Sequence, residues 1–364
     1  MITSQEAYNR ERRLMPVLVE GTRRGIRIDR EELLADYEMY QLALNECAES
    51  ARTRLNSPGI NLGSPAQLAA SLNASDVLSK PLPLTPTGLS SVAKEGLIDC
   101  IADKELLNEL LYTSSLETCI GTFMQSWLIF SEVDGRVHPE WNQVRNTERG
   151  TRGTRTGRLS SSKPNFQNVP TEFGQDIPSG FPPLPLMRRY CLPEEGHLWV
   201  MRDFSGQEIR VLAHFEDGTL MDAYCDDPSL DPHEMIRQLM KNITGILLDR
   251  KDVKITGFSI IYGSGAKGIS EQLHNSFTEA GNIKKAFLKA MPGVKKLNKR
   301  VQIEGRLGNP IRTWGGRYYY VEAPLITKKG RKIEFHYKLL NYLIQGSAAD
   351  QTKQVLADWY FCFR

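Results

Sequence analysis

Between residues 250 and 262 the sequence reads RKDVKITGFSIIY, with Arg250, Lys254, Phe258 and Tyr262 at every fourth position. On an α-helix such positions fall about 40° apart, so the four side chains form one stripe roughly 18 Å long. Two cations followed by two aromatics suit a phosphate tail at one end and a base at the other. The bland alternative is a solvated charged turn followed by a core-facing aromatic pair. Two details count against a helix tuned only for stability. Like charges at i,i+4 repel, and Gly257 costs about 1 kcal/mol relative to Ala in a helix interior.

The chain has 364 residues and is 40% apolar, enough for two or three subdomains with a substantial core. It has no apolar run of about 18 residues, and its first residues, MITSQEAYNRERR, are charged. The expectation is therefore a cytoplasmic protein with no membrane span or secretory leader. Six cysteines without a CxxC read as reduced thiols and give no zinc site. A net charge of +3 does not by itself point to nucleic acid, but its distribution says more. Arg145, Arg149, Arg152, Arg155, Arg158 and Lys163 share a segment whose one acid is Glu148. A second cluster runs from Lys284 to Arg300, and a third is the turn Lys328-Lys329-Gly330-Arg331-Lys332. Separated basic clusters on a nearly neutral chain suggest a long anionic ligand, with solvated surface charge as the alternative.

Hydropathy patterning predicts a charged helix over 5–24, a short strand at 25–29, and a long helix over 31–55 capped by Asp29. Ser64-Pro65 opens a further helix, Pro81, Pro83 and Pro86 mark a loop, and 90–131 reads as helical. From Asp134-Gly135 the character changes to strands and basic loops. TGRLSSSKPNFQNVP (156–170) has turn chemistry at nearly every position. His197 to Asp203, HLWVMRD, reads as a strand ending in a carboxylate, followed by a helix. Such a carboxylate is a common metal ligand and, more commonly, a plain N-cap. Residues 219–300 read as almost all helix, with Asp231-Pro232-His233 at one helix start. A hairpin is expected from Thr313 onward with the basic turn at 328–332 on its far side. A last helix from about 334 carries Asn341 and Gln345 and continues to Arg364.

Four of these segments, in this order, resemble the family A (Pol I-like) DNA polymerases. TGRLSSSKPNFQNVP resembles the family's primer-binding signature, DFSGQEIR its first palm motif, RKDVKITGFSIIYG its finger helix, and NYLIQGSAAD its template-reading helix. GIRIDREEL, SPAQLAASL and the T-x-x-G-R at 313–317 are weaker matches, so the resemblance covers essentially the whole chain.

It implies an α+β fold of right-hand polymerase architecture: thumb, palm with an antiparallel sheet, and helical fingers, with the C-terminal part of the palm missing. The expected divisions are palm entry 1–30, helical thumb 31–131, and palm 132–215 with the primer-binding loop and first catalytic motif. Fingers at 216–333 and a template-reading palm helix at 334–364 complete them.

Residue by residue, the resemblance implies catalytic roles for Asp203 and Lys254, with the Asp203 carboxylate and the Phe204 carbonyl as metal ligands. Glu208 would be the steric gate against a ribose 2′-OH. Arg250, Lys254 and His233 would hold the triphosphate, Phe258 would lie under the incoming nucleotide, and Tyr262 would stack by the templating base. Arg158, Asn341 and Gln345 would touch the minor groove, where acceptors are similar for all sequences. Thr156, Asn165 and Gln167 belong to the DNA-binding set through the primer signature. The implied activity is DNA-directed DNA synthesis, with two Mg2+ ions, or Mn2+ in their place, and with primer-template DNA and dNTPs as partners. Phosphoryl transfer asks mainly for in-line positioning and charge neutralisation, which these residue types supply.

Departures from the family pattern are Gly206-Gln207 in the palm motif, Gly257 and Ser259 in the finger helix, and Tyr337 ahead of Asn341, with Lys338 beside it as a substitute cation. They suggest a divergent, phage-like member, located in the bacterial host cytoplasm if phage-encoded. The family's second palm motif, His-Asp-Glu, has no counterpart, because the sequence contains no His-Asp pair. The expectation is the larger part of a split or truncated polymerase, without a 3′→5′ exonuclease domain, partnered by a C-terminal fragment or continuation carrying His-Asp-Glu. Asp350 and Asp358 match other family positions and are not taken for the missing ligand. A non-catalytic primer-template DNA-binding protein or remnant is the alternative. Glu208 and Phe258 argue against a third reading, single-subunit RNA polymerase.

Overall fold

In the computed structural model the described residues are 2–85, 88–145, 153–171, 176–327 and 330–363. The basic residues Arg149, Arg152, Lys328 and Lys329, together with Glu148, Pro86 and Arg364, lie outside them. The chain divides into two compact units: Met1–Glu20, Trp141–Ser160 and Met201–Arg364 form one, and Gly21–Glu140 with Ser161–Val200 form the other.

The chain opens with α1 (Ser4–Arg24), after which Gly25, at φ +68°, turns it into β1 (Ile26–Ile28). Asp29 then caps α2 (Arg30–Arg54), its side chain accepting from the Glu32 backbone N–H at 3.1 Å. α3 (Pro65–Ala74) starts with Pro at its first position, where a missing N–H costs nothing. The 90–131 stretch is helical in pieces: α4 (Lys94–Cys100), α5 (Lys104–Thr118), a π-helical stretch Cys119–Met124, and α6 (Gln125–Phe130). Asp103 divides the first two pieces because its carboxylate caps α5 through the Glu105 and Leu106 N–H groups.

β2 (Arg136–Val137) is followed by β3 (Glu140–Asn142), β4 (Ser160–Ser162) and β5 (Cys191–Leu192). β2, β1 and β5 form an antiparallel sheet with Ile26 opposite Val137 and Ile28 opposite Cys191. The helices of this unit close around Leu33, Tyr40, Tyr112, Trp127 and Tyr190, with a second cluster at Ala51, Leu72, Leu106 and Leu110. Trp127 stacks on Phe166 with ring centroids 4.8 Å apart.

The other unit is built mainly from α7 (Gln207–Glu216), α8 (Thr219–Asp226), α9 (Pro232–Thr244), α10 (Arg250–Ile261), α11 (Ala266–Leu273), α12 (Phe277–Ala290) and α13 (Pro292–Arg306). β6 (Ile311–Arg312) pairs with β7 (Tyr318–Tyr319), and β8 (Leu325–Ile326) pairs with β9 (Lys332–Ile333). A 3₁₀ turn at His336–Lys338 leads into α14 (Leu339–Cys362). Leu212, Ile236, Val253, Ile260, Phe287, Leu340 and Leu343 belong to its core. Gly257 allows α10 to approach α12, since a Cβ there would sit 3.3 Å from the Phe287 ring.

Two expectations from the sequence are corrected. The hairpin expected after Thr313 is two separate hairpins, because the chain reverses at Trp314–Arg317 and again around Gly330. The HLWVMRD segment forms no strand and joins no ladder among the described residues. Its apolar side chains are open to solvent: Leu198 is 88%, Val200 71% and Met201 86% exposed. An apolar run such as LWVM can form a strand, but a strand also needs a neighbour to receive its N–H and C=O groups. Among the described residues no helix is long and apolar enough to cross a membrane.

Candidate functional site

Asp203 ends the HLWVMRD segment with its carboxylate exposed, and its Oδ1 accepts from the Phe204 backbone N–H at 2.9 Å. Gly206, at φ +59°, then lets the chain turn into α7, placing Glu208 in the first helical turn where the helix dipole favours an anion. Gln207, at the start of α7, fixes that turn to α14. Its Nε2 lies 3.1 Å from the Ala348 carbonyl, 3.1 Å from Gln351 Oε1 and 3.2 Å from Thr352 Oγ1. A cavity of about 480 Å³ lined by Phe204, Gln207, Arg210, His214 and Trp314 adjoins this turn.

The α10 stripe forms as its spacing predicts, with Tyr262 closing the helix as its C-cap. Arg250 and Lys254 are exposed, and Arg250 Nε reaches Asp231 Oδ2 at 2.5 Å. Asp231 is also the N-cap of α9, accepting from the His233 and Glu234 backbone N–H groups at 3.0 and 3.3 Å. The Arg250 contact holds the Asp231 carboxyl below its usual range. One aspartate thus ties the starts of α9 and α10 together.

His233 is buried beside this junction, its ring centroid 6.1 Å from Phe258, which lies 5.8 Å from Tyr262. Burial, with the positive charges of Arg250 and Lys254, lowers the His233 pKa against the pull of Asp231. The Tyr262 hydroxyl donates to Glu208 Oε2 at 2.8 Å, with Gln345 close by. Burial is the largest cause pushing the Tyr262 phenol up to about 12, with the Glu208 contact acting in the same direction and Arg158 nearby opposing it.

The structure therefore gathers His233, Phe258, Tyr262 and Glu208 in one line of contacts, with Gln345 and Arg158 near Tyr262 and with Arg250 and Lys254 at the cationic end. Asn341 lies one turn before Gln345 on α14, and its buried Oδ1 has no hydrogen-bond partner. Thr156 is buried, and the exposed Arg158 follows Gly157, whose φ is +77°. A Cβ at Gly157 would come within 3.1 Å of the Arg317 guanidinium carbon. Asn165 and Gln167 belong to the other unit. There Asn165 Oδ1 accepts from Ser161 Oγ and the Gln167 N–H, and Gln167 Oε1 accepts from the Ser161 N–H, so both side chains brace their own loop.

Asp350 is fully buried, 2.7 Å from Arg10, 3.0 Å from Arg317 and 2.6 Å from Thr313 Oγ1, which leaves it no open face. Asp358 pairs with Arg13 at 3.1 Å on the surface. Among the described residues no group of three or more His, Cys, Asp or Glu is placed to hold a metal ion. The Asp203 carboxylate and the Phe204 carbonyl are hard oxygen donors of the kind Mg2+ prefers, but they are too few to form a cage alone. Sequence reading missed the structural part of Asp231 and Gln207. The Asp231-Pro232 cap signal was visible, but its pairing with Arg250 was not, because those partners are 19 residues apart.

The model of DNA polymerase family A matches residues 31–361. DNA polymerase I of Caldicellulosiruptor bescii is 27% identical over 360 residues, covering 97% of this chain and 40% of that protein. DNA polymerase I of Rhizobium leguminosarum is 31% identical over 366 residues, covering 95% of this chain and 33% of that protein. DNA polymerase DpoZ of Salmonella phage PMBT28 is 25% identical over 391 residues, covering 97% of this chain and 59% of that protein. Among solved structures, the POL domain of Pol1 from M. smegmatis in complex with DNA primer-template and dNTP is similar. It superposes with a TM-score of 0.77 at 25% identity, covering 97% of this chain and 59% of that one. The chain thus spans between 33% and 59% of the length of these relatives.

Proposed function

The chain belongs to DNA polymerase family A, and from that premise we propose that it carries the larger part of a template-directed DNA polymerase. In this reading it takes part in transfer of a deoxynucleoside monophosphate to a primer 3′-OH. The observation that carries the reading is the bond from Tyr262 to Glu208, with Gln345 and Arg158 nearby, at one end of a helix whose other end presents Arg250 and Lys254. Arg250 and Lys254 bind the triphosphate as point charges, and His233, kept neutral by its surroundings, offers a ring N–H to a phosphate oxygen. Phe258 and Tyr262 provide the stacking surface, a contact worth about 1 to 3 kcal/mol per base. Glu208, tethered by Tyr262, occupies the space beside the sugar, and Asn341, Gln345 and Arg158 sense the minor-groove edge. Residues 31–131 act as thumb and 216–333 as fingers.

Mg2+, when bound, neutralises charge on the transferring phosphoryl group, and Asp203 with the Phe204 carbonyl would hold it. The second carboxylate comes from residues outside this sequence, on a segment carrying His-Asp-Glu. The exposed apolar run from Leu198 to Met201, two residues before Asp203 in sequence and unpaired among the described residues, supports this placement, since an open apolar segment of this kind is completed by a neighbour that covers it.

Primer extension by the chain alone, and with a separately made His-Asp-Glu fragment, tests the reading. Extension is expected once the fragment is added, and Asp203→Ala should abolish it while DNA affinity is retained. DNA binding without extension in either arm favours the non-catalytic binding protein. Loss of DNA binding in Asp203→Ala removes the metal-ligand assignment.

A further inference from the structure

Glu322 follows the β6–β7 hairpin and receives three donors from separate elements. The Tyr342 hydroxyl bonds Oε1, the Lys338 ammonium lies 3.2 and 3.1 Å from the two carboxylate oxygens, and Arg155 pairs with Oε2. Each donor neighbours a residue assigned above to DNA: Arg155 precedes Thr156 and Arg158, Lys338 and Tyr342 flank Asn341. The carboxylate lines a groove of about 580 Å³ together with Arg145, Thr154, Arg155, Tyr319 and Tyr320, the last 65% exposed. Lys338, the cation beside the position where the resemblance expects an arginine, is therefore engaged within the chain. Its Nζ also sits 4.0 Å from the centre of the Phe335 ring.

We propose that Glu322 is an internal stand-in for a DNA backbone phosphate, occupying Arg155 and Lys338 until a primer-template displaces it. This inference rests on the DNA-binding reading above. A carboxylate offers two anionic oxygens to Arg and Lys much as a phosphate does, so the same fork of donors fits either. Burial alone would favour the protonated acid. Hydrogen bonds from Tyr342, Lys338 and Arg155, with the positive charge of Lys338, outweigh that and hold Glu322 ionised. The Arg155 side chain is 48% exposed, so its pair with Glu322 is weakened by solvent and open to exchange. A polyanion gains from the exchange by releasing its own counterions, which the carboxylate cannot do. The groove's tyrosines give the displaced carboxylate's neighbourhood an aromatic wall suited to sugar and base.

Binding of labelled primer-template to the full chain, measured by fluorescence anisotropy from 50 to 300 mM KCl, decides the matter. Glu322→Gln keeps the shape but removes the charge and turns one acceptor oxygen into an NH2 donor. It is expected to tighten binding roughly fivefold to tenfold near 0.1 M salt and to steepen the log–log salt slope by about 0.9 for each phosphate gained. Arg155→Gln added to Glu322→Gln should reverse part of both gains. An unchanged or weaker affinity in a Glu322→Gln protein whose melting temperature matches the wild type overturns the proposal. So does a gain for dATP instead of DNA, which would assign the fork to a free triphosphate. If neither wild type nor variant binds DNA, the DNA-binding reading itself fails and the proposal with it. Wild-type binding with no effect of the variant sinks the stand-in alone.

Discussion

The Tyr262 hydroxyl, at the end of α10, donates to Glu208 Oε2, in the first turn of α7, across 2.8 Å and 54 residues of sequence. The bond fixes a carboxylate that would otherwise sample several rotamers, and a fixed carboxylate excludes more than a mobile one. In an active assembly, Glu208→Ala is expected to relax rejection of ribonucleotides by roughly tenfold or more, the scale of one misfitted polar contact. Tyr262→Phe should reproduce part of that loss by freeing Glu208. The measurement is kcat/KM for ribo- against deoxynucleotide in single-nucleotide primer extension. Equal discrimination in wild type and Glu208→Ala would remove Glu208 from sugar selection.

Asp350 anchors a buried network rather than a metal. Arg10 and Asp350 are both almost wholly buried, in an ion contact without hydrogen-bond alignment at Arg10 Nη2, and Arg317, Glu11 and Lys353 extend the cluster. Removing the hub carboxylate leaves buried guanidinium charge uncompensated, and Asp350→Ala is expected to destabilise the protein by about 3 to 5 kcal/mol. Asp358→Ala breaks a pair that is about half exposed and should change stability by about 0 to 1 kcal/mol. Urea unfolding midpoints compare the two, and similar losses would contradict the assignment of the network as buried.

The α10 stripe was legible because a period near 3.6 and four chemically ordered side chains survive translation into any helix, and helix starts at Asp29 and Asp231 follow from local capping chemistry, whereas the break that Asp103 makes in the 90–131 stretch was not read. The partners of those side chains were not legible. Arg250 with Asp231, Tyr262 with Glu208, and Gln207 with Ala348 are long-range contacts set by how α7, α9, α10 and α14 pack. The HLWVMRD segment misled for a related reason: residue types report what a segment can do, and pairing depends on what lies beside it. Lys338 reads from the sequence as a substitute for the missing arginine, and nothing in its own neighbourhood announces its pairing with Glu322, 16 residues earlier.

Gly257 looked like a weakness in α10, and the packing gives its reason. A methyl group there would press on Phe287, which is 1% exposed and has little room to move. Overpacking of this kind costs about 1 to 3 kcal/mol. It offsets the helix-propensity gain of about 1 kcal/mol expected for Gly→Ala. Gly257→Ala should therefore fail to stabilise the protein, and Gly257→Ala combined with Phe287→Leu should recover more than the sum of the single changes. Additive single and double mutants in thermal melts would show that the two positions do not press on each other.

His233 gives a pH signature whose sign follows from its surroundings. Its folded pKa lies below the usual value because burial, then the charges of Arg250 and Lys254, disfavour the imidazolium more than Asp231 favours it. Below its ordinary value near 6.5 the unfolded chain takes up a proton at this position more readily than the folded chain does. The associated stability is fully present above about pH 6.5 and is lost as pH falls through the lowered folded value. Wild-type urea midpoints should therefore drop between pH 7.5 and 5 by more than those of His233→Gln, which has no titrating ring. Adding inorganic triphosphate should raise the His233 pKa, because an anion at the cationic end of α10 cancels the repulsion from Arg250 and Lys254. Histidine proton NMR would register that rise as an upward shift in the titration midpoint. A midpoint that stays put while triphosphate binds would place the ligand elsewhere, and matching pH dependence in wild type and His233→Gln would mean that the histidine is charged or neutral alike in both states.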